Sequence, residues 1–576
     1  MRSKHRLYRL VGILLILLSI LGWVLAAYAT SPGRVDQPAD ATAPEPAPMP
    51  NTDVNPFGAN FFLAREVEPW KREKTVQMAA QAGLGWAKQQ FVWAEIEPLR
   101  KGEFVDPNSQ ESSWAKYDEI VDLYRRYGLR VIARIDRAPV WARPAGSPAE
   151  APPASFEDLG DFVYAFASHF RGRVQYIQLW NEPNIYPEWG EQPVDPAAYT
   201  EMLALAYQRA KEADPNVFVL SAPLAPTLGE PHPEPGRWRS MNDLDYLEAM
   251  FQAGAGEVFD ILSVNAFGFD LPPADPPDPQ VLNFQRVALL RQIVEESGAA
   301  NKPVWINEYG WNAAPISFDE ANLTWERVSE EQQAEYTLQG IEWARQEWPW
   351  VGVFAIWYFR QVGQQYSPED AAYYFRMVDV DFTPRRVYDA VQDATRSLRV
   401  ASRGYVEETN PAVEWEPGWQ AAIESQASAQ AYLESDQPGD SLTFTFRGST
   451  LGLVTRQDVD GGRLLVTLDG RAVSRLPTDN QGRSYLDLYA PAPEWQVTLP
   501  VVDGALPGQH VVRLTVSDQP GSGGGFRCAV DALVVDKSQR RSFPWLPVSL
   551  LGLGSLTMVA LLVRELRLIR RPQVVY

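Results

Sequence analysis

The stretch from Val174 to Asn184 reads VQYIQLWNEPN and decides how the rest of the chain is read. Val174, Tyr176, Ile177, Leu179 and Trp180 make its first seven residues a buried parallel strand, Val174–Trp180. Pro183 cannot donate to a sheet ladder, so the strand must stop there. That leaves Asn181 and Glu182 at its carboxyl end, where an apolar setting shifts the proton affinity of a carboxylate.

Pro303 to Trp311, PVWINEYGW, repeats the arrangement: an apolar strand, then Asn307 and Glu308. The spacing between the two glutamates leaves room for three strand–helix units. Six further apolar segments complete a set of eight: Phe57–Phe62, Leu84–Gln89, Leu129–Ile135, Val217–Ser221, Asp260–Asn265 and Gly352–Trp357. Helical patterns fall between them. Ser113 is the expected N-cap of one helix. Asp195-Pro196 and Thr383-Pro384 read as N-cap plus N1 proline, and Ser329 with Gln332 as a capping box. Eight such units over residues 56–402 predict an α/β fold, a (β/α)8 TIM barrel whose active face is the carboxyl end of the strands. The segments after strands three, five, six and eight are long and rich in Pro, Gly and aromatics, and they fall on that face.

Residues 403–536 change character to alternating strands. Leu442, Phe444 and Phe446 form one such pattern, and Leu464, Val466, Leu468 and Val512, Leu514, Val516 form others, with turn signals at Asp469-Gly470 and Asp460-Gly461-Gly462. An all-β sandwich is expected, carbohydrate-binding-like in pattern. The shift in composition predicts that the barrel folds without it.

Both chain ends carry membrane signals. Residues 1–29 pair a basic start with an apolar run and Ala27-Tyr28-Ala29, as in a signal peptide or a signal anchor. Residues 30–55 read as an extended Pro/Ala-rich linker. Residues 544–563 read as a transmembrane helix and 564–576 as a basic cytoplasmic tail. The expected location is the cell membrane, with the barrel extracytoplasmic.

Composition narrows the function. The 576 residues carry a net charge of −21, which argues against a nucleic-acid partner. A lone cysteine, Cys528, excludes an internal disulfide framework. None of the four histidines ends a candidate strand, so no metal and no cofactor is expected. Two glutamates, each preceded by Asn at a strand end, are the equipment of glycoside hydrolysis.

LWNEPN followed by INEYGW resembles the clan A glycoside hydrolases, especially families 39 and 5. The resemblance spans Phe57 to Leu398 and implies retaining hydrolysis of an oligosaccharide or polysaccharide. It implies that Glu182 is the acid/base and Glu308 the nucleophile. Asn181 would bond the neighbouring sugar hydroxyl, and Trp357, in FAIWYF, would form the floor under the sugar. Lys88 takes the place of an expected arginine, and VNAFG supplies Asn265 and Phe267 where His and Tyr are usual. Tyr309 is the substitute partner for the nucleophile, and Trp311 joins the substrate-binding set. Trp141, Trp189 and Trp238 are balanced between sugar subsites and loop packing, and Arg134 with Asp136 reads as a structural ion pair in preference to a substrate contact. Two alternatives stand beside hydrolysis: a non-catalytic glycan-binding surface protein, and a transglycosylase.

Overall fold

A computed structural model describes residues 11, 13–15, 18–20, 49–363, 366–401, 404–536 and 545–569. Ala27-Tyr28-Ala29, residues 30–48 of the expected linker and residues 570–576 of the expected tail lie outside the described residues. Two compact units emerge, residues 47–537 and the pair of chain ends, 1–46 with 538–576.

Eight parallel strands open the larger unit: β1 (Phe57–Phe61), β2 (Trp86–Val92), β3 (Arg130–Asp136), β4 (Tyr176–Leu179), β5 (Phe218–Leu220), β6 (Leu262–Phe267), β7 (Val304–Gly310) and β8 (Val351–Ile356). They run β5-β4-β3-β2-β1-β8-β7-β6, and a parallel bridge from Leu220 to Ile261 joins the two edges. Helices α1 (Pro69–Gln81), α2 (Ala115–Arg126), α3 (Phe156–His169), α4 (Pro196–Ala213), α5 (Asp243–Gln252), α6 (Arg286–Glu296), α7 (Glu330–Glu347) and α8 (Arg386–Thr395) follow the strands in turn. This is the expected barrel.

Local chemistry explains some of the helix starts. Asp195 accepts from the amides of Ala197 and Ala198, and Ser329 and Gln332 form a reciprocal capping box. Two starts differ from expectation. Ser113 donates its hydroxyl to the Ile96 carbonyl, so α2 begins after Trp114 without a side-chain cap. Pro384 bridges to Val378, and α8 begins at Arg386.

The barrel interior is layered. At its amino-terminal floor Trp86, Tyr176 and Trp305 pack with ring centroids 4.8–5.0 Å apart. Such pairs add about 0.5–1.5 kcal/mol each beyond their burial. Above them lies a polar layer in which Asn307 donates to Gln178 (2.9 Å) and Ser263 (2.6 Å), and Asn60 donates to the Asn307 carbonyl (3.0 Å).

The end of the expected linker belongs to the barrel. Val54 is buried in the floor, Tyr176 donates to Asn51, and the indoles of Trp305 and Trp86 donate to the Asn51 and Asn55 carbonyls. Segment 49–55 is therefore held by the barrel floor and is no free spacer.

Antiparallel sheets follow. An eight-stranded sheet is built around Ser441–Gln457, Glu494–Val516 and Ala532–Asp536. A three-stranded sheet adds Leu433, Cys528 and Val530 to the same core as Leu442, Phe444, Phe446, Val466 and Leu514. Asp469 and Gly470, both at positive φ, turn the chain between paired strands.

The sheets close on the barrel floor. Asp53 accepts from the Glu407 amide (2.9 Å) and the Asn410 side chain (2.8 Å), and Arg130 lies between the rings of Trp86 and Trp415. Barrel and sheets thus share one compact unit. A crevice of about 910 Å³ remains between them, lined by Arg130, Arg171, Trp415 and Trp419.

The C-terminal apolar run lies in a helix, Trp545–Ile569. Among the described residues no helix is long and apolar enough to cross a membrane, so the expected terminal membrane segments are not found there.

Candidate active site

The two glutamates reach one place by different routes. Glu182 follows β4 with Trp180 and Glu182 both at positive φ (71° and 39°), a conformation that costs a side-chain-bearing residue energy. Its amide donates to the Pro223 carbonyl (3.0 Å), which fixes the turn.

Glu308 lies inside β7, two residues before the strand ends. The pairing of β7 shifts register against both neighbours: Val264 faces Ile306 but Asn265 faces Glu308, and Phe354 faces Ile306 but Ile356 faces Tyr309. One extra residue on β7 is a β-bulge, which re-aims side chains. Asn307 and Glu308 therefore both meet partners from the barrel interior, although they are consecutive.

Asn265 joins the two carboxylates. Its amide nitrogen donates to Glu182 Oε1 at 2.7 Å and to Glu308 Oε2 at 3.5 Å. Lys88 donates to Glu308 Oε1 at 3.2 Å and to the Asn307 carbonyl at 3.2 Å. Arg134 lies 3.9 Å from Glu308 Oε1 and donates to Asp136 at 2.5 Å, and Gln90 donates to the other Asp136 oxygen.

The electrostatics separate the pair. Burial, then the negative charges of Glu308 and Glu188, push Glu182 up to about 8, so it holds its proton at neutral pH. Glu308 faces two cations, Lys88 and Arg134. Burial lowers the Lys88 ammonium, opposed mainly by Glu308. The arrangement sets a carboxyl that holds its proton beside a second carboxyl group that faces two cations, as acid and nucleophile chemistry requires.

The other expected residues divide. Asn181 is buried with its Oδ1 unpartnered, an acceptor left open. Trp357 is half-buried beyond β8, its ring 5.8 Å from Phe62 and 6.5 Å from Tyr366. Tyr309 and Trp311 are not at the carboxylates. Tyr309 donates to the Thr337 carbonyl of α7 (2.8 Å), and the Trp311 indole donates to the Leu271 carbonyl (2.8 Å), both side chains fully buried. The bulge explains Tyr309, since Glu308 has taken the inward position. Trp189 is buried, Trp141 donates to the Glu97 carbonyl, and Trp238 is exposed.

Several residues at the site carried no motif. Arg134 is more than a structural pair, because it also faces Glu308. Phe62, one residue beyond β1, and Tyr366, in the loop after β8, flank Trp357. The available signal was weak: Phe62 ends an apolar segment, and Arg134 is a polar residue inside one.

No family model matches the chain, and neither does any curated protein. Solved structures do match. One is a family 39 glycoside hydrolase from the gut symbiont Bacteroides cellulosilyticus WH2, 18% identical, TM-score 0.44, covering 81% of each chain. Another is a monomeric beta-xylosidase from Caulobacter crescentus CB15, 13% identical, TM-score 0.43, covering 82% of this chain and 98% of that one. A third is the GH39 enzyme from Xanthomonas axonopodis pv. citri, 12% identical, TM-score 0.44, covering 81% and 95%. At these identities and scores the likenesses stand as resemblances, and the barrel and its site rest on the chain's own strands and side chains.

Proposed function

We propose that this chain is a glycoside hydrolase that cleaves O-glycosidic bonds with retention of configuration. The observation that carries the reading is the Asn265-bridged pair, with Glu182 protonated and Glu308 facing Lys88 and Arg134. Both contacts share one nitrogen, so the two facing oxygens sit closer than the ~6.5 Å at which the inverting range begins.

In the first step Glu308 attacks the anomeric carbon, the bond to the leaving oxygen breaks, and Glu182 gives that oxygen its proton. In the second, Glu182 takes a proton from water as the water oxygen displaces Glu308. Lys88 and Arg134 hold the nucleophile. Asn181 offers its open acceptor to a sugar hydroxyl, and Trp357 with Phe62 gives the ring an apolar floor.

The test is a panel of aryl glycosides and polysaccharides, with the anomer of the first product read by NMR. Hydrolysis with retained configuration is expected. Inverted product overturns the mechanism, and inactivity on the whole panel with intact glycan binding favours a non-catalytic binder. Added acceptor sugars distinguish hydrolysis from transglycosylation.

The attachment rests on sequence. Apolar runs Leu10–Ala27 and Leu546–Val563 have basic outer flanks, which supports a membrane-attached protein with an extracytoplasmic barrel. Protease added to intact cells should then remove the barrel; protection until lysis, in a single-membrane host, overturns this.

A further inference from the structure

Asn265 makes contacts to which the two-glutamate reaction assigns no task. It lies on β6, 3% exposed, opposite Glu308 on the neighbouring strand. Its side-chain nitrogen sits 2.7 Å from Glu182 Oε1 and 3.5 Å from Glu308 Oε2. The first is a short hydrogen bond and the second lies at the outer limit of one. Its Oδ1 is buried without a partner, so among the described residues this side chain bonds only the two glutamates. Turning the amide over would set Oδ1, an acceptor, against both carboxyl groups. The glutamates therefore fix the amide, at the cost of an orphaned oxygen.

Donor chemistry then decides where the Glu182 proton lies. An amide N–H only donates, so Oε1 of Glu182 is the accepting oxygen. The proton falls to Oε2, which becomes the atom that faces the leaving group. On Glu308 the oxygens divide differently. Oε1 lies 3.2 Å from Lys88 Nζ and 3.9 Å from Arg134, while Oε2 has, among the described residues, only the long contact to Asn265. Oε2 thus keeps its lone pairs for the anomeric carbon.

We infer that Asn265 is a positioning residue of the first step: it assigns the proton to Glu182 Oε2 and holds the carboxylate that forms when that proton leaves. This rests on the glycosidase reading and deepens it. As the bond from the anomeric carbon to the leaving oxygen breaks, that oxygen takes the proton from Oε2. The O–H electron pair stays on Glu182 as negative charge shared with Oε1. The Asn265 bond then passes from a neutral acceptor to a charged one, so it is stronger in the transition state than before it. In the second step Oε2 recovers a proton from water and the acceptor is neutral again.

The test compares the full chain with Asn265→Ala and the near-isosteric Asn265→Leu on dinitrophenyl and phenyl glycosides of xylose, glucose, galactose and mannose. A phenyl leaving group needs the acid, so kcat/KM on phenyl glycosides should fall about tenfold, the difference between a charged and a neutral hydrogen bond. On dinitrophenyl glycosides it should change little. The falling limb of kcat/KM should move to higher pH, since the Asn265 bond favours the ionised form of Glu182. In a chain already carrying Glu182→Gln, Asn265→Ala should add almost no further loss on phenyl glycosides. Equal loss on both leaving groups, a limb that stays or moves to lower pH, or additive losses in the double variant overturns the proposal. Unfolding of both variants overturns it too, because the side chain would then serve the fold. A folded wild-type chain that cleaves none of these glycosides overturns the glycosidase reading and this role with it, whereas an active chain that fails the comparison loses the role alone.

Discussion

Glu182 and Glu308 have unequal tasks, so their loss should have unequal effects. Glu308→Gln should abolish turnover of every substrate. Glu182→Gln should lower turnover of poor leaving groups by about 10²–10⁴-fold while an activated aryl glycoside still gives a burst, and azide should restore the slow step. Equal loss on both substrate types would contradict the assignment. A second expectation concerns pH. Glu182 must carry its proton to act as acid, so kcat/KM should fall as pH rises through about 8. Because the charge on Glu188 helps hold that proton, Glu188→Gln should move the falling limb to lower pH, and a limb that does not move counts against the coupling. Both glutamates were legible in the sequence because their chemistry sits beside a strand-ending motif. Arg134 and Phe62 were not, because their roles depend on which way a strand residue points and which strand lies next to it.

At the scale of the element, β7 shows why direction was hidden. Trp305 and Asn307 follow the period of two, and the bulge then turns Glu308 inward and Tyr309 toward α7. All eight strands were visible as apolar segments, but a bulge leaves no mark in hydrophobicity. Tyr309→Phe should accordingly leave kcat/KM nearly unchanged and destabilise the fold by about 1 kcal/mol through the lost bond to Thr337. A large rise in KM without loss of melting temperature would restore Tyr309 to the substrate site. The same limit applies to Ser113, whose hydroxyl donates to Ile96, and to Thr383, whose amide donates to Asp381 and whose carbonyl accepts from the Asp379 amide.

In the larger unit, buried acids sit at the seam between the barrel floor and the sheets. Burial, then Glu408, pushes Glu407 up to about 9; burial pushes Glu408 up to about 8 against Arg130, and Asp531 up to about 7. One oxygen of each is buried without a partner. Their folded proton affinity exceeds the unfolded one, so the stability they contribute is full below the ordinary carboxylate range and is lost as pH rises through about 7 to 9. Melting temperature should fall between pH 5 and about 9, and Glu407→Gln with Glu408→Gln should flatten that fall. A melting temperature that rises across the window would contradict the assignment. Composition announced the change from barrel to sheets near residue 403 but not this seam, whose acids meet only in the folded chain. Residues 56–402 expressed alone test the expected independence of the barrel, since that fragment lacks the sheet side of the junction and the Asp53 contacts.

That seam also has a mechanical consequence. Asp53, near where the chain comes in, accepts from the Glu407 amide, and Glu407 pairs with Ala532 in the last strand before the chain leaves. The Asp53 carboxylate thus ties the incoming segment to the strand that pairs with the outgoing one. A pull between residues 49 and 536 should therefore load this junction at the barrel floor, at the opposite end of the barrel strands from the glutamates.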